Sequence, residues 1–511
     1  MSQALQQSLG ETEVFELVCD YLRTRKFYQA EQTLLHERQL ALDSAPPGDV
    51  TEGQLNQASS NTSTIVPLKP SLLESLLERS YVTNFVSGEE EHHEDAHKRN
   101  RSHLDGTVDD ADLAERDNDD DGDEVYGLST QLVSFEACKD DPHGSATMPI
   151  YQTSTFAQKS ATEFGAYDYT RSGNPTRTAL ERQMAELEKG HRAFAFTSGM
   201  AALSTISRLA KAGDQIVLSD DSYGGTYRLL SKLTAKNGVN IKYVDLSGPN
   251  GPANLRAVLN HETKLVMMES PTNPMQRICD IPALAQAAHE FGALLSVDNT
   301  MMSPILQNPL ILGADICMHS ATKFVCGHSD TMSGIVIAKD PELCRDLYFV
   351  QNAEGTGLAP MDCWLLLRGI KTMGLRVLTA QSNAMRVALF LNAHPAVTNV
   401  YYAGLPSYEN KAMHDKQARG AGSVITFCTG NLKLSQHIVS TTKLFKITVS
   451  FGSVNSLISL PGVMSHASIP EEVRKARSFP EDLIRLSIGI EDVQDLIHDL
   501  QRAFQSFSTS A

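Results

Sequence analysis

A lysine at position 323 lies in MHSATKFVCGHSD, residues 318–330, among residues that otherwise read as buried. Lysine is almost never fully buried without a partner. A buried one pairs, loses its proton or is used covalently. Three further stretches place chemistry near strand ends. Asp298 closes an apolar run in SVDNT, residues 296–300. A carboxylate there is costly unless it faces a cation, and it could equally cap the next helix. TSGMAAL, residues 197–203, offers small residues at a helix start, where free N–H groups bind phosphate. SDDSYGGTY, residues 219–227, sets Tyr223 where its ring could stack on a planar ligand.

Ser320 and Thr322 add hydroxyls for a phosphate on either side of Ala321, just before Lys323. Taken together, the four stretches suit a phosphorylated, planar, cationic aldehyde. Pyridoxal 5'-phosphate needs a lysine for its aldehyde, an acid for its ring nitrogen and a cup for its phosphate. Lys323 would then tolerate burial because the cofactor holds it covalently. The competing reading is a structural lysine that snorkels to solvent.

YDYTRSGNPTR (167–177), TSGMAAL, SYGGTY, ESPTNP (269–274), SVDNT, HSATK (319–323) and RLSIGIED (485–492) follow one another in order. This series resembles the Cys/Met-metabolism family of pyridoxal-phosphate enzymes, the trans-sulfuration lyases and synthases, over about residues 126–508. Within the family, YFVQNAEGTGLAPMDCWLLLRGIKTM, YYAGLP, RGAG and SFGSVNSLISLPGVMSHASIP are most similar to plant-type cystathionine β-lyases. The resemblance implies fold type I, the aspartate-aminotransferase-like architecture. It implies that Lys323 binds the aldehyde and shuttles the α-proton, that Asp298 binds the ring nitrogen and that Tyr223 stacks on the ring. Gly199 and Met200 amides, with Ser320 and Thr322, would hold the phosphate. Tyr169 and Arg171 match a pair that family members lend to a neighbouring subunit's phosphate. Asn273 would lie near the ring hydroxyl and substrate, and Arg485, with Ser456 assisting, would bind the substrate carboxylate. No metal is implied. A homo-oligomer assembled as a dimer of dimers, a tetramer, comes with the matching segments.

The elements that must position these groups can be read from the pattern. Apolar runs at Ala193–Phe196, Gln215–Leu218, Leu265–Glu269, Leu294–Val297, Ile316–His319 and Gly334–Ala338 alternate with helical stretches such as Thr178–Lys189 and Ile281–Phe291. That alternation predicts an α/β class, with a mainly parallel sheet covered by helices. We assign residues 125–384 to a large cofactor-binding domain and 385–511 to a smaller C-terminal α+β domain. Residues 9–42 carry helical spacing and resemble a LisH dimerisation motif, with Lys26 where the usual glycine would precede Phe27. An amphipathic helix pair without that role is the plainer reading.

Residues 43–124 read as an acidic linker. Its stretch 89–124 holds 16 Asp or Glu against 4 Lys or Arg, so it carries −12 of the chain's −17. Its histidines, His92, His93, His97 and His103, suit a solvated linker better than a metal site. No basic face for nucleic acid is evident, and no apolar run reaches the ~18 residues of a membrane helix. The first 20 residues hold four acidic residues and no Lys or Arg, unlike a signal or transit peptide. The 8 cysteines show no metal spacing, and several lie in apolar runs, as in a reducing compartment. The expectation is a cytoplasmic enzyme acting on a small sulfur amino acid. It would cleave cystathionine to homocysteine, pyruvate and ammonia, a step toward methionine. The alternatives are a γ-lyase or γ-synthase, or a LisH-type interaction scaffold. For the γ-chemistry, Asn455 stands in GSVNS where many γ-specific relatives carry glutamate.

Overall fold

This computed structural model of the chain describes residues 126–135, 141–465, 472 and 479–507. The LisH-like segment and the acidic linker lie outside the described residues. Seven strands form the larger sheet: β1 Arg192–Phe196, β2 Gln215–Ser219, β3 Asn240–Val244, β4 Thr263–Glu269, β5 Leu294–Asp298, β6 Ile316–His319 and β7 Gly334–Ala338. Their order is β1-β7-β6-β5-β4-β2-β3, with β7 antiparallel to both neighbours and the remaining pairs parallel. Parallel strands covered on both faces read as near-continuous apolar runs. QIVLS in parallel β2 is buried throughout for that reason, and GIVIA in antiparallel β7, interior to the sheet between β1 and β6, is buried throughout as well. The six expected strands are all present. The seventh, β3, escapes that reading because it is an edge strand whose NIKYV residues are only partly covered.

Helix α1, Pro175–Leu187, starts three residues before the expected Thr178. Asn174 explains the early start: its side chain accepts from the Thr176 N–H, and Pro175 presets the first helical φ. Helix α2, Gly199–Ser207, follows β1 directly, and α3, Gly224–Leu229, follows β2. Helix α4, Ile281–His289, is capped by Asp280, which accepts from the Ala283 N–H. The connections set the carboxyl ends of the parallel strands along one edge, where open α/β sheets bind ligands.

The smaller sheet comprises β8 Asn399–Tyr401, β9 Val424–Cys428, β10 Lys446–Ile447, β11 Leu457–Ser459 and β12 Ile484–Ser487, in order β10-β11-β12-β9-β8. Its pairs are antiparallel except β10–β11. Helix α5, Met373–Asn392, spans the expected 384/385 boundary as one element. From Ala384 onward its buried face joins the core of the smaller sheet, with Phe427, Ile484, Leu486 and, from α6 (Val493–Gln505), Leu496 and Leu500. Alternation along β12 sends Ile484 and Leu486 into that core and Arg485 to the opposite face.

Candidate active site

The polypeptide leaves β6 at His319 and turns tightly through Ser320–Cys326. The turn is held by its own backbone: the Lys323 N–H donates to the Ser320 carbonyl at 3.0 Å, and the Gly327 N–H to the Lys323 carbonyl at 2.7 Å. Arg376 of α5 clamps it from outside, donating to the carbonyls of Phe324 at 2.8 Å and Gly369 at 2.7 Å. Gly452 presses on the other side. At φ +77°, a Cβ there would stand 2.9 Å from Lys323 Cβ and 3.0 Å from the Phe324 nitrogen. A side chain would collide with the turn, so glycine is required.

Lys323 Nζ donates to Ser450 Oγ at 2.6 Å and lies 5.1 Å from the Phe451 ring centre. Burial, then the nearby Arg485, bring the ammonium down to about 8, against the pull of Asp298. Arg485 itself is 2% exposed. It donates to Asn273 Oδ1 at 2.9 Å, to the Val449 carbonyl at 2.9 Å and to the Ser450 carbonyl at 3.1 Å. Burial lowers its pKa to about 10, so it stays charged at neutral pH. Among the described residues no carboxylate pairs with it. A buried guanidinium bonded only to neutral oxygens is suited to an anionic ligand.

Asp298 ends β5 with its carboxylate partly exposed. It accepts from the Thr300 N–H at 3.0 Å and the Thr300 hydroxyl at 2.5 Å. That hydroxyl in turn accepts from the Ser320 N–H at 2.7 Å, which ties the acid to the lysine turn. Burial raises the Asp298 pKa, while the Thr300 donors, His319 and Lys323 favour its ionised form. Beneath this pair, Glu188 accepts from His319 Nε2 at 2.6 Å and from Asn299 and Asn308 side-chain amides at 2.9 Å each. It thereby fixes the ends of β5 and β6 to each other.

Ser198 caps α2, accepting from the Ala201 N–H at 3.0 Å. The amides of Gly199 and Met200 lie in the first helical turn, where N–H groups have no intrahelical partner. A Cβ on Gly199 would stand 3.0 Å from Ser320 Cβ and 3.1 Å from Ser320 Oγ. The helix start and Ser320 therefore face each other across a gap that only glycine leaves open. Tyr223 precedes α3, and its N–H donates to Glu269 Oε1 at 2.7 Å.

These features fit the cofactor inferred from sequence. The lysine has a depressed pKa, the strand-end acid lies within reach of its charge, and the glycine-lined helix start faces Ser320. The fold thus brings together Lys323, Asp298, Asn273, Arg485, Ser320, Gly199, Met200 and Tyr223. Two expected groups are committed elsewhere. Thr322 Oγ1 donates to the Ser333 carbonyl at 3.1 Å and accepts its N–H at 2.9 Å. Ser456 is fully buried, with its hydroxyl on Glu491 at 2.8 Å and accepting the Gly489 N–H at 2.9 Å. Tyr169 and Arg171 lie at the surface, the guanidinium 5.2 Å above the tyrosine ring and 3.2 Å from Asn352 Oδ1. Ser450, Arg376, Glu188 and Glu269 are parts of the site that the sequence reading assigned no role. Glu269 alone had a legible signal, as a carboxylate ending an apolar run.

The model of the family described as Cys/Met metabolism PLP-dependent enzyme matches residues 129–505. The chain is 56% identical over 384 residues to the chloroplastic cystathionine beta-lyase of Arabidopsis thaliana, covering 75% of this chain and 82% of the relative. It is 45% identical over 383 residues to cystathionine beta-lyase MetC of Bacillus subtilis, covering 75% and 97%. Among solved structures, a cystathionine gamma-lyase from Lactobacillus plantarum complexed with L-serine superposes with a TM-score of 0.72 at 39% identity, covering 75% of this chain and 99% of that one.

Proposed function

Because this chain belongs to the Cys/Met-metabolism family of pyridoxal-phosphate-dependent enzymes, we propose that it is a carbon–sulfur β-lyase. Its substrate would be L-cystathionine, which with one water gives homocysteine, pyruvate and ammonia. The observation that carries the proposal is the meeting of Lys323 and Arg485 on one residue, Ser450. A group that moves a proton and a group that binds a carboxylate are thereby held beside the same short stretch of backbone. An α-amino acid needs both: its carboxylate fixed, and its α-hydrogen aimed at a base.

When bound, the cofactor's protonated ring supplies a sink for the negative charge that develops at the α-carbon. The Asp298 carboxylate at the end of β5 would hold the ring nitrogen and favour the protonated ring. Arg485 forks onto the substrate carboxylate, with Asn273 beside it. Lys323 Nζ, whose pKa of about 8 lets it give and take protons near neutral pH, removes the α-proton. The Cβ–S bond then breaks, and the sulfur leaves as a thiolate that takes up a proton to become homocysteine. γ-Elimination would require a further proton to be taken from the β-carbon. Position 455, where many γ-specific relatives carry glutamate, is an asparagine, and its amide cannot accept that proton. The experiment is to give purified protein L-cystathionine and identify the keto acid. Pyruvate is expected.

The proposal extends to a cytoplasmic homotetramer. Cys279, Cys317, Cys326, Cys344, Cys363 and Cys428 are all free and buried, which supports a reducing compartment. Tyr169 and Arg171 at the surface support a role toward a neighbouring subunit. An additional dimer contact through residues 9–42 belongs to the same proposal.

A further inference from the structure

We propose that Glu269 is a neutral carboxylic acid that positions Tyr223 and leaves Asp298 as the one negative charge at the ring nitrogen. The inference rests on the reading of Asp298 as the ring-nitrogen partner and deepens it. Glu269 is the last residue of β4 and Asp298 the last of β5, and they are direct register partners. Neighbouring strands run about 4.8 Å apart, and partners on adjacent parallel strands share a face. Both residues line one cavity of about 10 Å³, together with Ser222, Thr226, Ser296 and Met318. Glu269 is buried and Asp298 only partly exposed, so two like charges side by side there are unfavourable and the pair holds a proton.

The surroundings decide which carboxyl carries that proton. Asp298 receives two donors from Thr300 and has His319 and Lys323 nearby. Glu269 is 6% exposed. Burial, then Asp298 and Asp221, push it well above the usual carboxylate range, opposed by the backbone N–H groups of Tyr223 and Asn273. Asp221, raised to about 6 by burial and accepting from Thr272 Oγ1 at 2.5 Å, adds a further carboxyl group beside Glu269 and no positive charge to hold it ionised. The proton therefore resides on Glu269.

Neutral Glu269 has an O–H to donate into the cavity. Ser222 Oγ and Thr226 Oγ1 are buried there without a hydrogen-bond partner among the described residues. A cavity of about 10 Å³ is about the space of one water, and these hydroxyls give such a water two of the polar partners it needs. The other consequence concerns Tyr223. Glu269 Oε1 fixes the tyrosine's backbone N–H, so one acid would set both the charge offered to the ring nitrogen and the residue that would stack on the ring.

The test uses infrared difference spectra of the holoenzyme and of cofactor-stripped protein, with cofactor affinity as a second readout. Wild-type protein at neutral pH should show the carbonyl stretch of a buried, protonated carboxylic acid. That band should vanish in Glu269→Gln and persist in Asp298→Asn. Glu269→Gln mimics the neutral acid and should keep cofactor affinity within about threefold, whereas Glu269→Ala should lose about tenfold or more. No protonated-acid band in wild type, or loss of the band in Asp298→Asn alone, would overturn the proposal. So would a tenfold or greater loss of affinity in Glu269→Gln, roughly one pKa unit's worth. None of these readouts depends on which keto acid the enzyme makes, so failure here is distinct from failure of the β-lyase assignment.

Discussion

Lys323 and Arg485 converge on Ser450: the lysine amine donates to its hydroxyl at 2.6 Å and the guanidinium to its carbonyl at 3.1 Å. The lysine comes from the turn after β6 of the larger sheet, and the arginine from β12 of the smaller one. Neither sheet alone has both groups. The site therefore exists only where the two sheets meet, and the segment 449–452 is the joint.

Lys323→Ala should abolish turnover, because both the covalent attachment and the proton shuttle are removed. The proposed phosphate cup at Gly199 and Ser320 and the Asp298 carboxylate are untouched, so cofactor should still bind, without a covalent link. Gel filtration followed by reductive trapping separates the two effects. Lyase activity comparable to wild type in this variant would remove the lysine from the mechanism.

Arg485→Lys should keep the charge and lose the fork. One charge-assisted hydrogen bond is worth about 2 kcal/mol, so KM for cystathionine should rise by roughly thirtyfold. Cofactor content should stay unchanged. Steady-state kinetics with a cofactor assay checks this, and an unchanged KM would place the substrate carboxylate elsewhere.

The depressed pKa of Lys323 predicts how cofactor-stripped protein regains its cofactor. Only the free amine attacks an aldehyde. Because the folded value lies near 8, below the ordinary 10.5, the attachment rate should rise with pH to a midpoint at about 8. Stopped-flow absorbance over a pH series measures it. A midpoint near the ordinary lysine value would show that the amine is not desolvated.

Deleting residues 1–124 should leave an enzyme that binds cofactor and turns over, since every residue assigned to the site lies beyond that point. Activity per bound cofactor, compared with the full chain, decides the matter. Loss of cofactor binding or of assembly on truncation would make the N-terminal region part of the catalytic unit.

What was legible in the sequence, and what was not, follows from range. Buried strands are apolar runs, so β1, β2, β4, β5, β6 and β7 could be read directly, and the strand ends pointed to Asp298 and Lys323. Asn174–Pro175 is a helix-start signal that apolar periodicity alone overlooks, and α1 begins there. Edge strand β3 has too little apolar run to announce itself. Ser450, Arg376 and Glu188 act through partners 127, 52 and 131 residues away, and no local pattern encodes such a contact. Glu269 becomes informative only once the β4–β5 register sets it beside Asp298. Ser456 was matched to a binding role, yet Glu491 and the Gly489 amide take up its hydroxyl, a pairing that only the fold reveals.

The most direct measurement is the identity of the keto acid and thiol released from L-cystathionine by the purified holoenzyme. Both cleavages begin with the same α-proton, so the cofactor site does not distinguish them, and the products do. β-Cleavage predicts pyruvate and homocysteine in equal amounts. 2-Oxobutyrate and cysteine as the main products would contradict the account and make the chain a γ-lyase with the same cofactor site.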